Sequence, residues 1–154
     1  MNHADVQAWL DRYTEAWQTY RPDAIGDLFS ADAEYRYHAW DEPIVGRDAI
    51  VADWLSPDGD PAQRDQPGSF QTHYEPYLVE GRRAVAIGTS DYAATPESAA
   101  RVFHNAWLLE FDGDGRCSSF TEYYNLQPHE SPRQEPPRQE PPRPASSRQE
   151  QAGG

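Results

Sequence analysis

The sequence predicts an α+β domain in which N-terminal helices cover one face of a curved antiparallel sheet. Three observations carry this. The first is an apolar stripe at helical spacing near the start. The second is a pair of long hairpins in the second half, the last of them rich in aromatic residues. The third is the order of elements between them: helix, helix, strand, helix, then four long strands.

The first helix spans Asp5 to Tyr20, where Val6, Trp9, Leu10, Tyr13, Trp17 and Tyr20 recur in steps of three and four. Arg21-Pro22-Asp23 breaks it and starts a short second helix, with Pro22 suited to a first turn, Asp23 to its positive end, and Ile25, Leu28 and Phe29 as its apolar side. Ala33 to Trp40 reads as a strand, because Tyr35 and Tyr37 alternate with Glu34, Arg36 and His38. After Pro43 and Gly46, Arg47 to Leu55 is helical again. Residues 56–68, rich in Pro, Gly and Asp, form a loop long enough to act as a lid or as a surface excursion. Ser69 to Glu80 and Arg82 to Tyr92 make the first hairpin, turning at Glu80-Gly81.

The last hairpin, Arg101 to Asn125, turns at Asp112-Gly113-Asp114-Gly115. Counting by twos places Phe103, Asn105, Trp107, Leu109 and Phe111 on one face of its first strand, and Phe120, Glu122 and Tyr124 on one face of its second. Two polar groups, Asn105 and Glu122, thus stand in aromatic rows. His104, Ala106 and Leu108 occupy the opposite face, which suits a sheet surface or a homodimer contact.

Composition narrows the function. The chain has 154 residues and a net charge of -13. All of that charge lies in residues 1–128, because four arginines and four glutamates cancel beyond them. An acidic body without a basic patch repels phosphate backbones and anionic lipid, so neither nucleic acid nor a membrane is expected as a partner. Lysine is absent, which removes Schiff-base chemistry, a pyridoxal phosphate anchor and a phosphate-loop lysine. One cysteine, Cys117, rules out an internal disulfide framework, and with no signal peptide or apolar span the expected compartment is the cytoplasm. His38, His73 and His104 lie on three strands without metal-ligand spacing, and Asp112 to Gly115 lacks a calcium loop's later acidic ligand, so no metal is expected. Trp9, Trp17, Trp40, Trp54 and Trp107 read first as core residues. From residue 129 the chain becomes a repeat of Pro, Arg, Gln and Glu, the composition of a disordered, partly polyproline tail.

Five motifs in order give residues 4–127 a family likeness. They are the amphipathic first helix; Leu28-Phe29 followed by Ser30-Ala31-Asp32-Ala33; Gly46-Arg47-Asp48-Ala49-Ile50; Phe111-Asp112-Gly113-Asp114-Gly115-Arg116; and Glu122-Tyr123-Tyr124. In these the chain resembles the nuclear transport factor 2-like, or SnoaL-like, superfamily. The resemblance implies a cone-shaped barrel whose sheet wraps the N-terminal helices and encloses an apolar pocket open at one end. It implies no cofactor.

Members of that superfamily include ketosteroid isomerase, polyketide cyclases, limonene epoxide hydrolase and scytalone dehydratase, together with proteins that only bind or assemble, so fold alone does not settle activity. Tyr13 has the spacing of the isomerase's oxyanion-hole tyrosine, but the position of that enzyme's general base falls on Tyr37 and that of its protonated aspartate on Trp107. Glu122 is similar in place to an acidic group of the cyclase and epoxide hydrolase branches, although the latter's Asp, Arg, Asp relay is not visible. An apolar pocket raises a carboxyl's pKa towards the range useful for proton transfer.

One reading therefore makes Glu122 the acid/base of a cyclase, isomerase or dehydratase acting on an apolar, carbonyl-bearing molecule. Tyr13, Tyr35 or Tyr37 would be hydroxyl donors and Asn105 an orienter, with Trp17, Trp54, Trp107, Phe120 and Tyr124 as further pocket lining. The other makes the cavity a binding or structural feature of a homodimer, with Glu122 locked to a tyrosine or to Arg36. An unpaired Glu122 in an open pocket favours the first.

Overall fold

The computed structural model describes residues 1–129; the expected tail lies outside them, apart from its first residue. Helix α1, His3–Thr19, starts at a reciprocal cap in which the Asn2 side chain accepts from the Asp5 backbone N–H while the Asp5 carboxylate accepts from that of Asn2. It buries Val6, Trp9, Leu10, Tyr13 and Ala16 along one stripe, as the spacing predicts. It ends at Tyr20, which takes a left-handed conformation (φ 49°) unusual for an aromatic residue. Helix α2, Pro22–Gly26, follows at once, and α3, Arg47–Leu55, begins where the sequence places it.

The strands are β1 (Phe29–Arg36), β2 (Ile44–Val45), β3 (Phe70–Glu80), β4 (Arg83–Tyr92), β5 (Arg101–Phe111) and β6 (Cys117–Leu126). They form one sheet in the order β2-β1-β6-β5-β4-β3. Strands β3 to β6 are an antiparallel meander. One pairing departs from the antiparallel pattern of the rest: β1 runs parallel to β6, pairing Tyr35 with Phe120. A parallel neighbour requires a long crossover, and everything from α3 to β5 supplies it. The sheet curves but does not close, leaving β2 and β3 as edges.

Strand β1 lies earlier than its alternation suggests. It ends at Arg36 because the chain turns: Asp41 N–H donates to the His38 carbonyl, the His38 N–H donates to the Asp41 carboxylate, and Pro43 has no N–H to continue a ladder. Between Ser56 and Gly68 two single 3₁₀ turns, Pro57–Gly59 and Pro61–Gln63, fold the long loop against the body.

The core lies between the helices and the concave face of the sheet, with Trp9, Phe29, Tyr35, Ile50, Trp107 and Phe120 among its largest members. Phe120 stacks in parallel on both Tyr13 and Tyr35, at ring separations of 5.6 and 4.4 Å. Trp40, read as core, is instead 82% exposed, because it lies within the His38–Asp41 turn that ends β1 and rests flat on the His38 ring. The face opposite the core carries His104 and Leu108, as alternation predicts. Among the described residues no helix is long and apolar enough to cross a membrane.

Candidate active site

Where the helices stand away from the sheet, a cavity of about 630 Å³ opens. Its wall is mostly aromatic. Tyr13 and Trp17 come from α1, Tyr35 from β1, Trp54 from α3, and Asn105, Trp107, Glu122 and Tyr124 from the last hairpin. The pairing of β5 with β6 sets Asn105 beside Tyr124 and Trp107 beside Glu122, so the polar groups noticed in the two aromatic rows share one stretch of wall.

Glu122 is partly buried and forms no ion pair within the described residues. Arg36, its alternative partner, bonds Glu34 at 3.1 Å instead. Desolvation pushes the Glu122 carboxyl up to about 7, against weaker opposing influences from the Trp107 indole N–H and from His38. Within the described residues the Trp107 Nε1 has no hydrogen-bond partner of ordinary geometry, so it tempers the carboxylate's cost without neutralising it.

Tyr13 and Tyr35 share a hydrogen bond of 2.8 Å between their hydroxyls. Burial raises both well above the usual tyrosine range, with the Glu122 charge adding to the effect on Tyr13. They therefore stay protonated at neutral pH. One bond between two hydroxyls leaves one O–H hydrogen uncommitted, available to an oxygen in the cavity.

Two expected roles need correction. Tyr37, expected to donate to a ligand, lies just beyond β1 and gives its hydrogen to the Asp53 carboxylate at 2.7 Å. Asn105, expected to orient Glu122, instead donates to the hydroxyls of Tyr74 and Ser90, which bond each other at 2.6 Å. Phe120 is fully buried behind Tyr13 and Tyr35 and supports the wall from behind.

Residues not anticipated as site members complete the rim. His38, placed by alternation on the outer face, turns into the cavity because the strand has already ended. Its Nδ1 is 2.9 Å from the Asp41 carboxylate and its Nε2 is 3.0 Å from the Tyr124 hydroxyl, an Asp-His-Tyr chain at the mouth. The His-x-x-Asp spacing just ahead of Pro43 is the signal that could have revealed this turn. Asp65, from the long loop, accepts from Trp17 Nε1 at 3.0 Å and from the Tyr92 hydroxyl at 3.1 Å, while its own N–H donates to the Tyr20 hydroxyl. The loop is thus tied across the mouth by one carboxylate. Among the described residues no three His, Cys, Asp or Glu side chains converge on a metal site.

A curved sheet folded over three helices around a carboxyl-bearing aromatic cavity defines a nuclear transport factor 2-like pocket domain. The model of the SnoaL-like domain matches residues 10–120, and the chain belongs to that family. Among solved structures it is similar to an NTF-2 like protein of unknown function from Burkholderia xenovorans LB400, at 20% identity and a TM-score of 0.59, over 84% of this chain and 88% of that one. That likeness shows the fold. No curated protein matches the sequence.

Proposed function

We propose that this chain is a cofactor-free acid/base catalyst of the lyase or isomerase class, acting on an apolar, carbonyl-bearing small molecule. The observation that carries the reading is Glu122: a carboxyl without an ion pair, raised to about 7, on the wall of an aromatic cavity. A carboxyl of that pKa is part acid and part base at neutral pH, the condition in which a single group both removes and returns a proton. In this mechanism a substrate carbonyl sits against Tyr13 and Tyr35. Glu122 takes a proton from the carbon beside the carbonyl, and the uncommitted tyrosine hydrogen stabilises the enolate oxygen as charge develops. The proton then returns at another carbon, or a leaving group departs. Tyr37 holds Asp53 and shapes the rim rather than donating.

A second reading, binding without conversion in a homodimer, draws on the outer sheet face, where Leu108 and Tyr123 are 45% and 47% exposed. One experiment separates the two. Wild type and Glu122→Gln are screened by thermal shift against apolar ketones, lactones and polyketide-like aromatics, and each ligand found is assayed for turnover. A ligand that stabilises both proteins but is converted by wild type alone supports the catalytic reading. Binding without conversion by either supports the second.

A further inference from the structure

The lining of the cavity has one-sided charge. Asp41, Asp53, Asp58, Asp65 and Glu122 all face it, whereas among the described residues no arginine does and His38 is the one other titratable group besides tyrosine. The groups that bond these carboxylates at the rim are neutral, apart from His38: the Tyr37 hydroxyl on Asp53, and the Trp17 indole and Tyr92 hydroxyl on Asp65. Neutral donors orient a carboxylate without cancelling its charge. A carboxylate or phosphate ligand would therefore enter a field that repels it and find no fixed cation to pair with.

The aromatic wall points the same way. Three of its rings already hold cations: Arg64 lies 5.5 Å from the Tyr20 centroid, and Arg101 lies 5.1 and 5.9 Å from those of Tyr92 and Phe103. Deeper in, Asn105 is only 8% exposed, yet its Oδ1 accepts from no donor within the described residues. An acceptor left without a donor keeps its partial negative charge uncompensated beside the cavity and adds to the field that favours a cation.

We infer that the cavity takes a ligand bearing a protonated or quaternary nitrogen, so that the substrate class is an aromatic or alicyclic amine. The inference deepens the proposed function by adding a basic nitrogen to the carbonyl-bearing substrate, and it rests on that reading only for turnover; the charge selection is a property of the cavity. It also gives the proton transfer a trigger. A cation bound beside Glu122 favours the ionised carboxylate, so the base forms when the substrate arrives.

The test uses three probes of one shape and different charge: benzyltrimethylammonium, its neutral carbon isostere neopentylbenzene, and the anion phenylmethanesulfonate. Binding to the whole chain is followed by NMR titration at constant pH. The ammonium is expected to bind at least about tenfold more tightly than the isostere. The preference should shrink severalfold on adding salt and in Asp58→Asn, whose left-handed backbone (φ 52°) an asparagine also adopts. Equal binding of ammonium and isostere, tighter binding of the anion, or no response to millimolar ammonium overturns the inference. Glu122→Gln separates the two claims: it should keep most of the cation preference, through the four remaining aspartates, while losing turnover. Cation binding with no conversion of any amino ketone would retire the catalytic reading and leave this inference standing. Conversion of a neutral ketone without cation preference would do the reverse.

Discussion

Glu122→Gln should make the protein more stable at alkaline pH, and the size of the effect follows from the site. The carboxyl has an ordinary value of 4.5 and is raised to about 7 in the fold. Between those values the folded protein retains a proton that the unfolded chain has released, so stability falls as pH rises. At 1.36 kcal/mol per unit, a difference of about 2.5 units amounts to about 3 kcal/mol, absent below pH 4.5 and fully developed above pH 7. Glutamine has nearly the same shape and never ionises. Urea denaturation of both proteins at half-unit steps from pH 4 to pH 9 yields a difference curve in which groups common to both cancel. The two proteins should be similar at the acid end, and the variant should gain up to about 3 kcal/mol at the other. A flat difference, or a variant that becomes weaker as pH rises, would mean that the ionised carboxylate is compensated in the fold, and the desolvation argument would be wrong.

Three further outcomes follow from the same geometry. Wherever Glu122 acts as the base, kcat/KM should rise with pH through about 7 and level off above it, a limb that Glu122→Gln should lack in pH–rate profiles. Gly88→Ala should cost more than about 3 kcal/mol or prevent folding, since a Cβ there would lie 2.1 Å from the His73 carbonyl oxygen and 2.4 Å from the Tyr74 ring; chemical denaturation, or the soluble yield, reads this. Asp65→Asn should cost about 1 to 2 kcal/mol and speed limited proteolysis within residues 56–68, because the loop's side-chain tie to Trp17 and Tyr92 depends on that carboxylate.

What could be read from the sequence and what could not divide along a physical line. The stripe of α1 and the rows of β5 and β6 are set by backbone periodicity. Alternation alone puts Asn105 and Trp107 in one row of β5 and Glu122 in one row of β6, whereas Tyr13 is tied to them through the family resemblance. His38, Asp41 and Asp65 belong to turns and loops, where no period relates sequence spacing to direction. His38 was assigned to the wrong face because alternation was carried past Arg36, where the strand ends. Asn105 and Tyr37 line the cavity, but their hydrogen-bond partners, Tyr74 and Asp53, depend on how distant segments meet. The parallel pairing of β1 with β6 was also invisible, since alternation does not record strand direction.

That parallel pairing has a consequence for how the site comes into being. The meander from β3 to β6 is built from neighbours in sequence and has little loop entropy to overcome. Strand β1, carrying Tyr35, joins the meander only through β6, across a separation of some eighty residues between Tyr35 and Phe120, and α1, carrying Tyr13, packs on the distant β3. Glu122 lies two residues past that junction. Assembly of the cavity is therefore expected to follow formation of the meander, with the carboxyl meeting its desolvating surroundings only then. An intermediate holding the meander alone would keep Glu122 ionised in water, so the final docking step should take up a proton from solution at neutral pH.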